Sequence, residues 1–290
     1  MNNSIKHSFA LIAMVTLSFE IIFQLGANLF ILYGSDLYKN ESFSMIVAGF
    51  LALLAGFLIL GYYDANERKH YKKFSILKFL WLILLLRGLQ FVTSILDYPV
   101  INWLYNLGFS LDSARADATG ADITGTWDII YALICAPVIE ECFFRGILFN
   151  RLRKYGTIFA ITITAFLFGL MHGNIFQLIV GFVMGILFAY VRAAYGLRFS
   201  ILIHASNNLL ALLMNDFTFL PLWKEVLLNF LFYGGVIAII VTIVTNYKKL
   251  SAAIKKESSL PRMYMLWFTT IPVILVTLFY VLLTILSLFA

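Results

Sequence analysis

Three ionisable residues sit in one apolar run: VIEECFFRGILF, from Val138 to Phe149, contains Glu140, Glu141 and Arg145. A charged side chain at the centre of a membrane helix costs about 2.5–3.5 kcal/mol on insertion scales, so each needs a partner or a task. At 3.6 residues per turn Glu141 and Arg145 share a helical face as an i, i+4 ion pair, whereas Glu140 points about 100° away. Glu140 is thus left to face a cavity, where a carboxylate can take a proton from water. Two later runs repeat the four-residue spacing. FGLMH sets Phe168 against His172, so the phenyl ring buttresses the imidazole, and HASNN sets His204 beside Asn208. One carboxylate, two imidazoles and an amide, contributed by three helices, are enough for amide hydrolysis. In that chemistry a carboxylate takes the proton of a water fixed by one histidine, while a second histidine and an asparagine amide donate to the developing oxyanion.

The same residues support a metal reading. Glu140, His172 and His204 supply three ligands, as a catalytic Zn2+ with an open position requires. No HExxH helix accompanies them, and with Glu140 as a ligand the base would have to be Glu141, which its ion pair makes the poorer one. Zn2+ and a metal-free glutamate mechanism both remain open at this point.

The elements that must position these groups are membrane helices. Of 290 residues, 62% are hydrophobic and 12% charged, against about a quarter charged in soluble domains. So few charges cannot cover that much apolar surface, and the excess faces lipid. A hydrocarbon core of about 30 Å takes about 20 helical residues. On that measure about nine spans are expected, near 8–33, 44–63, 74–96, 127–149, 157–172, 176–195, 199–215, 225–246 and 264–289. The first is too long for a signal-peptide core and reads as a retained anchor.

Basic residues follow every second span: Arg68, Lys69, Lys72 and Lys73; Arg151, Arg153 and Lys154; Arg192 and Arg198; then Lys248, Lys249, Lys255, Lys256 and Arg262. The stretch from Asp97 through Asp112, Asp117 and Asp122 is acidic, with Arg115 its only arginine or lysine. The positive-inside rule then puts the N-terminus in the cytoplasm, and the net charge of +6 belongs to loops rather than to a nucleic-acid surface. Cys135 and Cys142, a heptad apart on one apolar segment, are read as small buried hydrophobes rather than a disulfide. The expected fold is an all-α polytopic transmembrane bundle of about 8–9 spans, with a catalytic core in spans four to seven. Residues 1–126 are the N-terminal helices and acidic loop, 127–215 the core, and 216–290 the C-terminal helices.

Glu140-Glu141-x-x-x-Arg145, Phe168-x-x-x-His172 and His204-x-x-x-Asn208, in that order on successive apolar segments, resemble the motif set of the CPBP family of intramembrane proteases. That family takes in type II CAAX prenyl endopeptidases and the Abi, or bacteriocin-processing, proteins. The resemblance covers roughly residues 127–215, and each motif is short and common alone, so its specificity lies in their ordered co-occurrence. It implies an integral, multi-pass enzyme of a bacterial plasma membrane that cleaves a membrane-associated peptide or protein. The roles implied are Glu140 as base, His172 as its partner, His204 and Asn208 at the oxyanion, and Glu141 with Arg145 organising the site. Family members are described both as metalloproteases and as metal-free glutamate enzymes. Bacterial peptide processing, bacteriocin self-immunity and CAAX-type processing are the roles it suggests.

Two rival readings stand beside it: a proton-coupled transporter, since intramembrane Glu and His also form relays, and a non-catalytic scaffold or immunity protein. Other polar residues have plainer expectations. Glu20, Gln24, Arg87 and Gln90 read as structural, with a Glu20–Arg87 bridge between early spans; Asn174, Gln177 and Asn207 read as caps or loop residues. Depth poses one tension, because His204 falls early in its helix and His172 at the far end of its own. Tilted helices crossing closely at Gly169, Gly173, Gly181 and Gly185 would relieve it.

Overall fold

The computed structural model describes residues 2–61, 71–111, 114–115, 123, 125–214 and 221–289. Arg68, Lys69, Asp112, Asp117 and Asp122, which carried part of the loop-charge argument, lie outside the described residues. The described chain is an all-α bundle: α1 (Asn2–Tyr33), α2 (Glu41–Leu60), α3 (Ile76–Asn106), α4 (residues 126–152), α5 (Thr157–Met171), α6 (Ile175–Tyr195), α7 (Leu197–Met214), α8 (Leu222–Lys256), α9 (Leu260–Phe268) and α10 (Ile271–Leu286).

By length and composition α1, α2, α3, α6 and α8 can each cross a bilayer, and α9 with α10 makes a sixth candidate if the two count as one span, bent by 70°. Helices α5 and α7 are apolar but shorter. Side chains such as Leu58, Phe230 and Val244 point out of the bundle, as a lipid solvent permits. Span ends differ from expectation at α1, which starts at Asn2, at α8, which runs on to Lys256, and in two further places. Helix α3 does not stop near residue 96 but runs through Pro99 to Asn106, because its extension buries Ile101 and Leu104 against Leu111 with Phe176 alongside. The run expected at 264–289 is broken at Thr269–Thr270, just before Pro272, whose missing N–H cannot continue the ladder.

Helix α4 carries the glutamates and is not a uniform α-helix. Two π-helical turns, Tyr131–Cys135 and Cys142–Leu148, flank the α-helical Ala136–Glu141. Pro137 accounts for the first. The N–H of Ala136 bonds the carbonyl of Tyr131, five residues back, and Pro137 has no N–H, so the Ala132 carbonyl loses both possible intrahelical donors. In the second, the N–H of Phe149 bonds the Phe144 carbonyl, and the Arg145 carbonyl loses its i+4 donor. Buried Phe143, Phe144, Leu148 and Phe149 hold this rod in the core, with Phe143 stacked on Phe19 of α1 at 4.0 Å.

Helices α5 and α6 cross at backbone contact. A Cβ on Gly169 would meet the Leu178 carbonyl oxygen at 2.5 Å, and one on Gly185 would meet Ala165 Cα at 2.9 Å. The close crossing expected from these glycines is present. The other end of α5 is fixed from a distance: Glu257, after α8, accepts the N–H groups of Thr157 at 2.9 Å and Ile158 at 3.1 Å, replacing a local N-cap.

Candidate active site

Glu141 and Arg145 pair as their spacing implies, Nη1 to Oε1 at 3.2 Å, with both side chains 0% exposed. Nη2 donates to the Gly185 carbonyl at 3.1 Å, and the guanidinium lies over the Phe168 ring at 4.3 Å. Glu141 also accepts from Ser200 Oγ on Oε2 and from His204 Nδ1 on Oε1 at 3.1 Å. One carboxylate therefore ties α4 to α7 and, through Arg145, to α6.

Glu140 has none of this. Its side chain is 17% exposed, and its ion-pair contact is His204 Nε2 at 3.8 Å, beyond hydrogen-bond length. His204 thus stands between two carboxylates, bonded to one and facing the other. Its ring stacks on Phe188 at 4.6 Å, which sets its plane.

His172 follows the last turn of α5, with Nδ1 2.7 Å from the Phe168 carbonyl. A carbonyl only accepts, so Nδ1 carries the hydrogen and Nε2 presents a lone pair in the neutral ring. Phe168 meets both imidazoles edge-on, His172 at 4.9 Å and His204 at 5.8 Å. About 22 Å of α5 precedes His172 but only about 10 Å of α7 precedes His204, so the rings meet at different depths of their helices, as crossing helices allow.

Asn208 donates from Nδ2 to the Ala132 carbonyl at 2.9 Å. This is the carbonyl that Pro137 and the π turn leave without a donor, so one amide N–H of Asn208 is engaged in clasping α7 to α4 and the other remains. The Arg145 carbonyl is claimed in the same way, by Arg192 Nε of α6 at 3.0 Å. Arg192 also donates to Asn150 Oδ1 at 2.8 Å and to the Tyr71 hydroxyl.

The structure thus gathers Glu141, Arg145, His172 and His204 around Phe168 and Phe188, with Glu140 3.8 Å from His204 and Asn208 one turn beyond it. Sequence reasoning missed Ser200 and Phe188 and read Arg192 as a loop charge, whereas it is buried within α6. Ser200 had a usable signal, because it precedes His204 by four residues and so shares its face. The Glu20–Arg87 bridge is not formed: Glu20 accepts from Gln24 at 2.9 Å, and Arg87 donates to the Asn207 carbonyl at 2.6 Å. Spacing along a helix sets depth, whereas meeting also requires facing helices, and α3 turns Arg87 towards α7. Asn174 caps α6 through Phe176 N–H at 2.9 Å, and Cys135 and Cys142 are free thiols.

Among the described residues no three His, Cys, Asp or Glu side chains come together closely enough to hold a metal. As arranged, Glu140, His172 and His204 do not meet the ligand spacing of Zn2+. An apolar cavity of about 380 Å³ between α2, α4 and the start of α7 is lined by Phe50, Phe57, Cys142, Gly146 and Leu197 among others, and it adjoins the α4 face of Cys142 rather than Glu140.

Residues 122–210 match a family model described as type II CAAX prenyl endopeptidase, Rce1-like. No curated protein and no solved structure matches the chain.

Proposed function

The chain carries, over residues 122–210, a domain of the Rce1-like family of type II CAAX prenyl endopeptidases, and from that premise we propose that it is an intramembrane endopeptidase in which Glu140 activates the hydrolytic water. The observation that carries the assignment is the asymmetry of two neighbouring carboxylates. Glu141 is fully buried, paired with Arg145 and hydrogen-bonded by Ser200 and His204, whereas Glu140 is partly open and, among the described residues, held only by a 3.8 Å contact. A base must be free to bind water and take its proton, and only Glu140 is.

The residues act as follows in this reading. A water donates one hydrogen to Glu140 and the other to the Nε2 lone pair of His172. Its oxygen bonds to the scissile carbonyl carbon as Glu140 takes the proton. The oxyanion collects the free N–H of Asn208 beside the Nε2 edge of His204, whose Nδ1 is held by Glu141. The C–N bond then breaks, and the proton held by Glu140 passes to the leaving amine. Phe168 and Phe188 keep bulk water from the rings. Metal dependence is a separate property, and metal content of the purified protein measures it directly.

The substrate class is a membrane-associated peptide or protein. CAAX-type processing, bacterial peptide maturation and bacteriocin self-immunity would all use this one hydrolysis. The test compares membrane peptidomes of cells carrying the wild-type or Glu140→Gln protein at equal abundance. Substrates should persist uncleaved in the variant. Equal cleavage in both cells would overturn the proposal.

A further inference from the structure

Arg87 lies about 16 Å along α3 from Ile76, near the depth of a bilayer midplane, and is 4% exposed. Among the described residues its polar contacts are all to one neutral residue: Nη2 reaches the Asn207 carbonyl at 2.6 Å and Asn207 Oδ1 at 3.4 Å. Nε is buried with no hydrogen-bond partner, and no carboxylate among the described residues pairs with the guanidinium. Nor can α3 rotate or slide to release it. Gly88, the next residue, touches Gly235 of α8 backbone to backbone, a Cβ on Gly88 meeting Gly235 C at 2.3 Å. A cation held rigidly in a bundle without an anion is costly unless one arrives from outside.

The position narrows what that anion is. Asn207 precedes Asn208 and follows His204 by three residues, so the guanidinium binds α7 at the turn beyond the catalytic imidazole. A group anchored there would lie alongside a peptide held at Glu140 and His204. A planar guanidinium whose Nε makes no hydrogen bond can meet a carboxylate bidentately through Nε and an Nη group.

We propose that Arg87 is a substrate-binding residue that pairs with a carboxylate of the peptide substrate. The carboxylate is either a free C-terminus or an acidic side chain, which share this chemistry. The inference rests on the peptidase reading for the identity of the ligand, but its test needs no cleavage.

The probes are N-palmitoylated Ala-Leu-Ala with a free C-terminus, the same peptide as its C-terminal amide, and N-palmitoylated Ala-Asp-Ala amide. Each is titrated against Glu140→Gln protein in phosphatidylcholine nanodiscs. At least one acid probe should bind about 10- to 100-fold more tightly than the uncharged amide, as charge-assisted hydrogen bonds imply. Which one it is separates the two sources. Adding Arg87→Gln should abolish the preference.

Asn207→Asp guards against misfolding, since it supplies a carboxylate to Arg87 from within. That variant should melt higher than its parent and lose discrimination between acid and amide. Equal binding of acids and amide in the parent, including no binding of any of them, overturns the inference. So does a preference that survives both Arg87→Gln and Asn207→Asp. If Glu140→Gln cells cleave normally yet the preference is present and Arg87-dependent, the peptidase reading fails and the carboxylate site stands. If cleavage depends on Glu140 and the preference is absent, the reverse holds.

Discussion

Replacing Glu140 and Glu141 separately by glutamine should split stability from chemistry between two adjacent residues. Glu141 and Arg145 are both fully buried at 3.2 Å. Glutamine keeps the shape and can still accept from Ser200 or His204, but it leaves Arg145 with a backbone carbonyl at 3.1 Å and the Phe168 face. Removing one partner of a buried pair costs about 3–5 kcal/mol, which at about 2–4 °C per kcal/mol for a chain of this size lowers the melting temperature by about 6–20 °C. Glu140→Gln gives up only a 3.8 Å contact on a side chain that is 17% exposed, a change of about 0.5 kcal/mol or less. It should melt within about 2 °C of wild type. Loss of the general base should nonetheless cut hydrolysis by about 100- to 10,000-fold.

The assay is tryptophan-fluorescence melting of each purified protein in one detergent, with cleavage measured per mole of folded protein. A double change, Glu141→Gln with Arg145→Met, removes both buried charges, and replacing a whole buried pair is often neutral. Its melting temperature should recover most of the loss, while hydrolysis stays low because His204 has lost its carboxylate. Three results would refute the reasoning: Glu140→Gln melting as low as Glu141→Gln, Glu140→Gln cleaving as wild type does, or Glu141→Gln melting unchanged.

Glu257→Ala removes the remote cap of α5, whose first two N–H groups it accepts at 2.9 and 3.1 Å; the expected cost is about 1 kcal/mol, read as a melting shift of about 2–4 °C with turnover of the folded protein unchanged. Gly169→Val would drive a side chain into the Leu178 carbonyl, 2.5 Å from where Cβ must sit. It should separate α5 from α6, cost about 1–3 kcal/mol and lower cleavage by displacing His172; a fully active, fully stable variant would contradict the crossing described. Metal dependence is read by incubating the protein with 1,10-phenanthroline and then removing it: the Glu140 chemistry proposed above predicts unchanged cleavage, and a loss restored by Zn2+ would show that the metal takes part.

What the sequence could reveal of this site depended on how local each contact is. Glu141–Arg145 lies within one turn, so spacing alone identified it, and the same arithmetic freed Glu140. Phe168 with His172 was legible for the same reason. The convergence of α4, α5 and α7 was reached only through motif order, because no periodicity says which helices touch. Glu20 and Arg87 show the limit: both occur at depths suited to a bridge, but azimuth decided that one meets Gln24 and the other Asn207. The third span's end failed at Asp97, because the helix runs on through Pro99 with Ile101 and Leu104 buried.

The least legible feature is the one that sets the geometry. Each π turn in α4 leaves a carbonyl without its helical donor, Ala132 on one side of the glutamates and Arg145 on the other, and each is taken by a side chain from another helix, Asn208 and Arg192. A π turn is less stable than an α turn unless its freed groups are satisfied. These two bonds therefore hold the rod in the register that turns Glu141 into the core and Glu140 outward. Pro137 alone hints at this in the sequence, and only on the N-terminal side. On this argument Asn208 has work to do whether or not its second N–H meets an oxyanion. The rotation of Glu140 then depends on Arg192, a residue outside all three motifs.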